Sequence, residues 1–257
     1  MIRKPAVAGK FYPKDKKELE GKIENFLSFA KVVEVEKPRV AIVPHAGYVF
    51  SGRTAASVYK VLENFDYEIV FLLGPAHYFP LEKPITSSFS FWETSLGKVE
   101  VDKSPNEFLK LKIEDRPFLP EHSLEVQLPF LQFVYRHKNL RIFPIHINEY
   151  DESFAEKLLD LVEKDYYDAL FLISSDLSHY FPEEEAVHID KSSIKIMLEK
   201  DLSRAFEIDA CGQAAIATSL YLAKHLELSS KLLFYDTSAS AFGETSEVVG
   251  YVGMVYY

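Results

Sequence analysis

Arg39-Val40-Ala41-Ile42-Val43 runs directly into Pro44-His45-Ala46-Gly47-Tyr48, and this stretch decides the fold. The first five residues show no alternation of apolar and polar positions after Arg39. Such a run reads as a strand buried on both faces, as in sheets covered by helices on two sides. The polar, glycine-containing exit is where open α/β sheets bind ligands. The pattern recurs. Residues 68–73 exit into Gly74-Pro75-Ala76-His77-Tyr78, and residues 169–173 into Ser174-Ser175-Asp176-Leu177-Ser178-His179-Tyr180. Three strands therefore each deliver a histidine at their exit.

Working outward, residues 140–145 form another strand, ending at His146, whose role stays open between packing and site. Pro144 within it predicts an edge position or an irregularity. Residues 231–235 and 248–255 complete the strands. Apolar residues at helical spacing predict helices over 16–29, 52–64, 153–164, 183–200 and 211–225. Residues 123–137 also read as helical, with Pro129 expected to kink them. The alternation predicts one three-layer α/β/α domain over 1–257, with a central, mostly parallel or mixed sheet. Residues 83–101, rich in Thr, Ser and aromatics, read as a β-excursion from it.

Composition narrows the function. Twenty-nine basic against 39 acidic residues give a net charge of −10, which argues against a nucleic-acid binder. No apolar run is long enough for a membrane span, and the start of the sequence does not read as a signal peptide. The one cysteine, Cys211, excludes a disulfide framework and a CxxC zinc site. It predicts a reducing, cytoplasmic setting. No GxGxxG, P-loop, HExxH or GxSxG motif occurs.

The candidate site residues follow. His45, His77 and His179 share equivalent strand exits, where imidazole serves as a metal ligand or an acid/base. Cys211 reads as part of a helix's first turn, where exposed N–H groups favour a thiolate. His122 and Glu125, three apart, are placed on one helix face. Tyr48, Tyr78 and Tyr180 are candidates to line a pocket. Each of these also has a plainer reading as packing, capping or surface.

Several ordered blocks resemble the Memo family. They are Pro5-Ala6-Val7-Ala8-Gly9-Lys10-Phe11-Tyr12-Pro13, Pro44-His45-Ala46-Gly47-Tyr48, Leu73-Gly74-Pro75-Ala76-His77 and Glu121-His122-Ser123-Leu124-Glu125. Ser174 to Tyr180, Cys211-Gly212 and Val249-Gly250-Tyr251 extend the likeness. The resemblance implies a fold like that of class III extradiol dioxygenases, which hold Fe(II) on two His and a carboxylate. It implies His45, His77 and Cys211 as metal ligands, with cysteine in the carboxylate's place. It implies His179 as the acid/base, oriented by Asp176, with His122 nearby. Fe(II) is the expected metal, and the softer donor set also suits zinc or copper. The expected activity is metal-dependent oxidoreductase or lyase chemistry on a small oxygen-bearing substrate. Two other readings stay open: a peptide- or metal-binding protein with a vestigial cleft, and a zinc hydrolase with Glu125 or His179 as base. A functional association with a radical-SAM protein is also implied by the resemblance.

Overall fold

The apolar runs become the middle of one large sheet. A computed structural model describes residues 1–257. In chain order it begins β1 (Ile2–Arg3), α1 (Lys16–Phe29), β2 (Val40–Val43), α2 (Tyr48–Leu62) and β3 (Ile69–Gly74). Then come β4 (Ile85–Thr86), β5 (Phe91–Thr94), β6 (Gly97–Val101), α3 (Pro105–Leu109), β7 (Lys112–Ile113) and α4 (Leu128–Val134). They are followed by β8 (Arg141–His146), α5 (Glu152–Lys164), β9 (Leu170–Ser174), β10 (His179–Phe181) and α6 (Glu183–Glu199). The chain continues through α7 (Gln213–His225), β11 (Ser230–Thr237), α8 (Ala239–Phe242) and β12 (Val248–Tyr256).

Strands β2, β9, β3 and β8 lie side by side and parallel, in that order. Antiparallel β12 flanks β2, and β11 flanks β12. Beyond β8 the sheet continues through β6, β5 and β1. Alternate residues of the central strands feed two cores. Ala41, Val43, Val70 and Leu72 pack with Leu19, Ile23, Ala56 and Phe130 from α1, α2 and α4. Val40, Ile42, Phe71 and Leu73 pack with Leu158, Met197 and Ile216 from α5, α6 and α7. Helices on both faces explain why these strands are uniformly apolar.

Three sequence expectations are sharpened, and of the two alternatives for Pro144 the structure shows the irregularity. Pro144 is not on an edge: it sits inside the sheet, in register with Leu72 of β3. On its other side β6 stops pairing at Ile142, and β4 takes over only at His146. The missing N–H therefore falls in a gap in the ladder. Residues 83–101 do contain an antiparallel hairpin, β5–β6, but it extends the main sheet rather than leaving it. Pro129 does not kink a helix over 123–137. It occupies the first turn of α4, where its absent N–H is not needed, after a 3-10 turn at Glu125–Gln127.

Candidate metal centre

The carboxyl ends of β2, β3 and β9 are neighbours, so the loops that follow converge. His45 lies two residues past β2, and His77 three past β3. Cys211 comes from the turn before α7, and its backbone N–H donates to Asp176 O at 3.3 Å. The ligand atoms of His45, His77 and Cys211 all lie within 4.8 Å of one another. His45 Nε2 stands 3.1 Å from Cys211 Sγ. The approach depends on Gly212, because a Cβ there would lie 2.7 Å from Ser175 Cβ.

Hydrogen bonds decide which ring nitrogens are free. Ser174 Oγ donates to Ser123 O (2.5 Å) and accepts from Gln127 Nε2 (2.8 Å). Its own proton is thus engaged, and toward His45 Nδ1, 3.1 Å away, it can only accept. His45 therefore carries its proton on Nδ1 and presents the Nε2 lone pair to the site. Glu121 does the same for His77, accepting from Nδ1 at 2.9 Å through Oε1 and from the backbone N–H at 2.5 Å through Oε2. Glu121 Oε1 also accepts the backbone N–H groups of His122 (2.8 Å) and Ser123 (2.9 Å). Burial raises the Glu121 carboxyl, but the hydrogen bonds it accepts, from His77 first and from the Ser123 backbone, work against it, and the carboxyl is held well below the usual range.

This donor set fits a metal. Two imidazoles show fixed tautomers, each backed by an acceptor, and a thiol completes a Cys/His₂ group of the kind that leaves coordination positions open. His77, Glu121 and His122 also cluster within 4.8 Å, but Glu121 is already committed to orienting His77 and the loop. Cys211 does not sit in the first turn of α7 as its sequence context suggests. Gly212 is the residue that opens α7, and burial pushes the Cys211 thiol up to about 12.

The other candidates divide. The His122 ring stacks on His77 at 4.9 Å and meets His45 edge-on at 5.4 Å, so it belongs to the site. Asp176 is also there, with Oδ2 4.0 Å from His45 Nε2. It does not orient His179: its Oδ1 accepts the backbone N–H of His45 at 2.7 Å. Burial raises Asp176 to about 7, against hydrogen bonds from the His45 and Ala46 backbones. His179 lies on β10 at a register irregularity, and Tyr180 beside it takes a left-handed φ of 63°. Burial lowers the His179 ring below its ordinary value, which favours its neutral form. Tyr78 and Tyr180 are exposed beside His77 and His179.

Tyr48 and Glu125 do not join the His45, His77 and Cys211 group. Tyr48 is buried against Tyr12 and Phe130, and its hydroxyl donates to Val126 O at 2.7 Å. Glu125 is buried in the segment around Arg3 to Tyr12, accepting from Arg3 Nη1, Ala6 N, Val7 N and Tyr12 Oη. His122 and Glu125 share no helix face, since His122 precedes the 3-10 turn. His146 is a packing residue, fully buried against Phe118, with Nδ1 3.2 Å from Gly74 O. Sequence reasoning assigned no role to Glu121, Ser174 or Gln127, although Glu121 directly precedes His122.

A fold of this kind, with convergent His and Cys donors at its strand ends, defines a class of α/β protein with a candidate metal-binding group. Comparison gives the family. The family model described as Memo-like protein matches residues 3–255. A MEMO1 family protein of Aquifex aeolicus is 40% identical over 99% of both chains. Those of Nitrosopumilus maritimus and Archaeoglobus fulgidus are 34% and 35% identical over 98% and 99%. The chain belongs to the Memo family. No helix is long and apolar enough to cross a membrane.

Proposed function

We propose that this protein is a metal-dependent oxidoreductase or lyase acting on a small, oxygen-bearing substrate. Its metal is held by His45 Nε2, His77 Nε2 and Cys211 Sγ. The observation that carries the reading is the pair of tautomer-fixed imidazoles set within 4.8 Å of a single thiol. Iron(II) is the metal named first; zinc suits a Cys/His₂ set, and copper competes by affinity. Bound there, the ion supplies Lewis acidity toward a chelating oxygen and, as iron, redox chemistry. The protein's own part is positioning and proton movement. Ser174 and Glu121 keep both Nε2 lone pairs pointed inward. Asp176 fixes the His45 main chain. His179, whose burial favours the neutral ring, accepts a proton from the substrate and returns it in this reading. The lone thiol suits a reducing compartment, and we place the protein in the cytosol.

The test is metal analysis of protein purified without oxygen, with His45→Ala and Cys211→Ser beside wild type. Stoichiometric metal in wild type and its loss in both variants is the expected result. Equal binding by all three removes the ligand set. Oxygen uptake on a catechol-like substrate by the iron form supports the oxidoreductase reading. Ester or amide hydrolysis by a zinc form replaces it with a hydrolase.

A further inference from the structure

Arg3 belongs to no ligand set, yet it is joined to one. Its side chain is fully buried and stacks on Trp92 with its guanidinium carbon 4.4 Å from the ring centre. Nε donates to Phe118 O at 2.8 Å, and Nη2 to Glu121 O at 2.5 Å. Nη1 meets Glu125 Oε2 at 2.5 Å. One planar fork thus fixes two carbonyls and a carboxylate of a single loop.

That loop needs an external anchor. Residues 119–124, Leu119-Pro120-Glu121-His122-Ser123-Leu124, lie between two 3-10 turns, Arg116–Phe118 and Glu125–Gln127, and form no helix or strand. Its far side is tied to the strand ends at Ser123, whose Oγ donates to Pro75 O at 2.7 Å and whose carbonyl accepts from Ser174 Oγ at 2.5 Å. Glu121 then reaches His77 with both carboxylate oxygens. Taking an Arg–Glu pair out of water is weak as a source of stability, because desolvation offsets the attraction. A pair that fixes a loop's register has a different use.

We propose that Arg3 is a positioning residue for the metal centre: by fixing the main chain at Phe118 and Glu121, it sets the carboxylate that orients His77. This rests on the ligand set proposed above. Lysine retains the charge but not the fork, so one ammonium cannot hold all three oxygens in place.

The experiment titrates cobalt(II) into metal-free protein and follows its visible absorption, which reports imidazole and thiolate ligation. Arg3→Lys should weaken cobalt binding about tenfold, the usual scale for losing an outer-shell partner, and change the spectrum. Tyr12→Phe removes another bond to Glu125 without touching Arg3 or Glu121. It should lower the melting temperature while leaving cobalt affinity within about twofold. In a Glu121→Gln background, Arg3→Lys should cost less than about twofold further, because it acts through a group already altered. Should Arg3→Lys not fold, a paired Arg3→Met and Glu125→Gln exchange leaves no unpaired charge and carries the same expectation. Wild-type affinity and spectrum in the Arg3 variant overturn the inference. So does an equal loss in Tyr12→Phe, which reduces Arg3 to a structural role. A wild type that takes up no cobalt overturns the ligand set itself, and the inference with it.

Discussion

At the residue scale the proposed metal centre depends on acceptors outside its ligand set. Ser174→Ala leaves His45 Nδ1 and Gln127 Nε2 without their shared acceptor. Metal affinity should fall about 10-fold with the fold intact, measured by competition with a chromophoric chelator. Gly212→Ala should be more severe. Its Cβ would lie 2.7 Å from Ser175 Cβ and 3.0 Å from Ser174 O, so the Cys211 turn must move. We expect loss of metal uptake by metal analysis even where the circular dichroism stays native. Legibility at this scale follows chemistry. His45, His77 and His179 are visible in sequence because a polar exit after an apolar strand is a local signal. Glu121 and Ser174 are not, because the nitrogen each one faces belongs to a different segment. Tyr48 misled for the converse reason: it follows a site motif, but the start of α2 turns it into the core.

At the element scale, long buried strands were legible and short ones were not. β9 is a continuous apolar run, and its neighbours merely confirm it. β1 is two residues whose strand character comes from Phe91 and Trp92. β10 exists by pairing with Val248 and Val249. No local pattern encodes such partners. Contact between α2 and β12 is close enough to test. A Cβ on Gly253 would lie 2.7 Å from Ser57 Oγ and 2.9 Å from Thr54 O. Because one obstacle is backbone, the helix must shift, and Gly253→Ala should cost about 1–3 kcal/mol in denaturant unfolding. An unchanged midpoint would mean that α2 slides freely on the sheet.

At the scale of the whole molecule, two buried groups pull stability in opposite directions as pH falls: the raised Asp176 carboxyl gains stability, and His146 loses it. Burial lowers His146 to about 4, while in the unfolded chain it titrates near 6.5. Between these values the unfolded state binds the extra proton, so stability is lost as pH falls. From pH 7 to pH 5 this one side chain should remove about 2 kcal/mol. Comparing urea unfolding of wild type and His146→Leu at both pH values checks it; equal slopes with pH would refute the assignment. The sheet order has a further consequence for assembly. β12 lies between β2 and β11, although it follows every other strand in the chain. During synthesis, His45 and His77 emerge long before Cys211, and β2 waits for Val248–Tyr256 to cover its open edge. A growing chain thus carries both imidazoles without their thiol neighbour while an unpaired strand still invites association. Closure of the sheet is thereby tied to translation order, because β2 gains its second neighbour only when the end of β12 has been made.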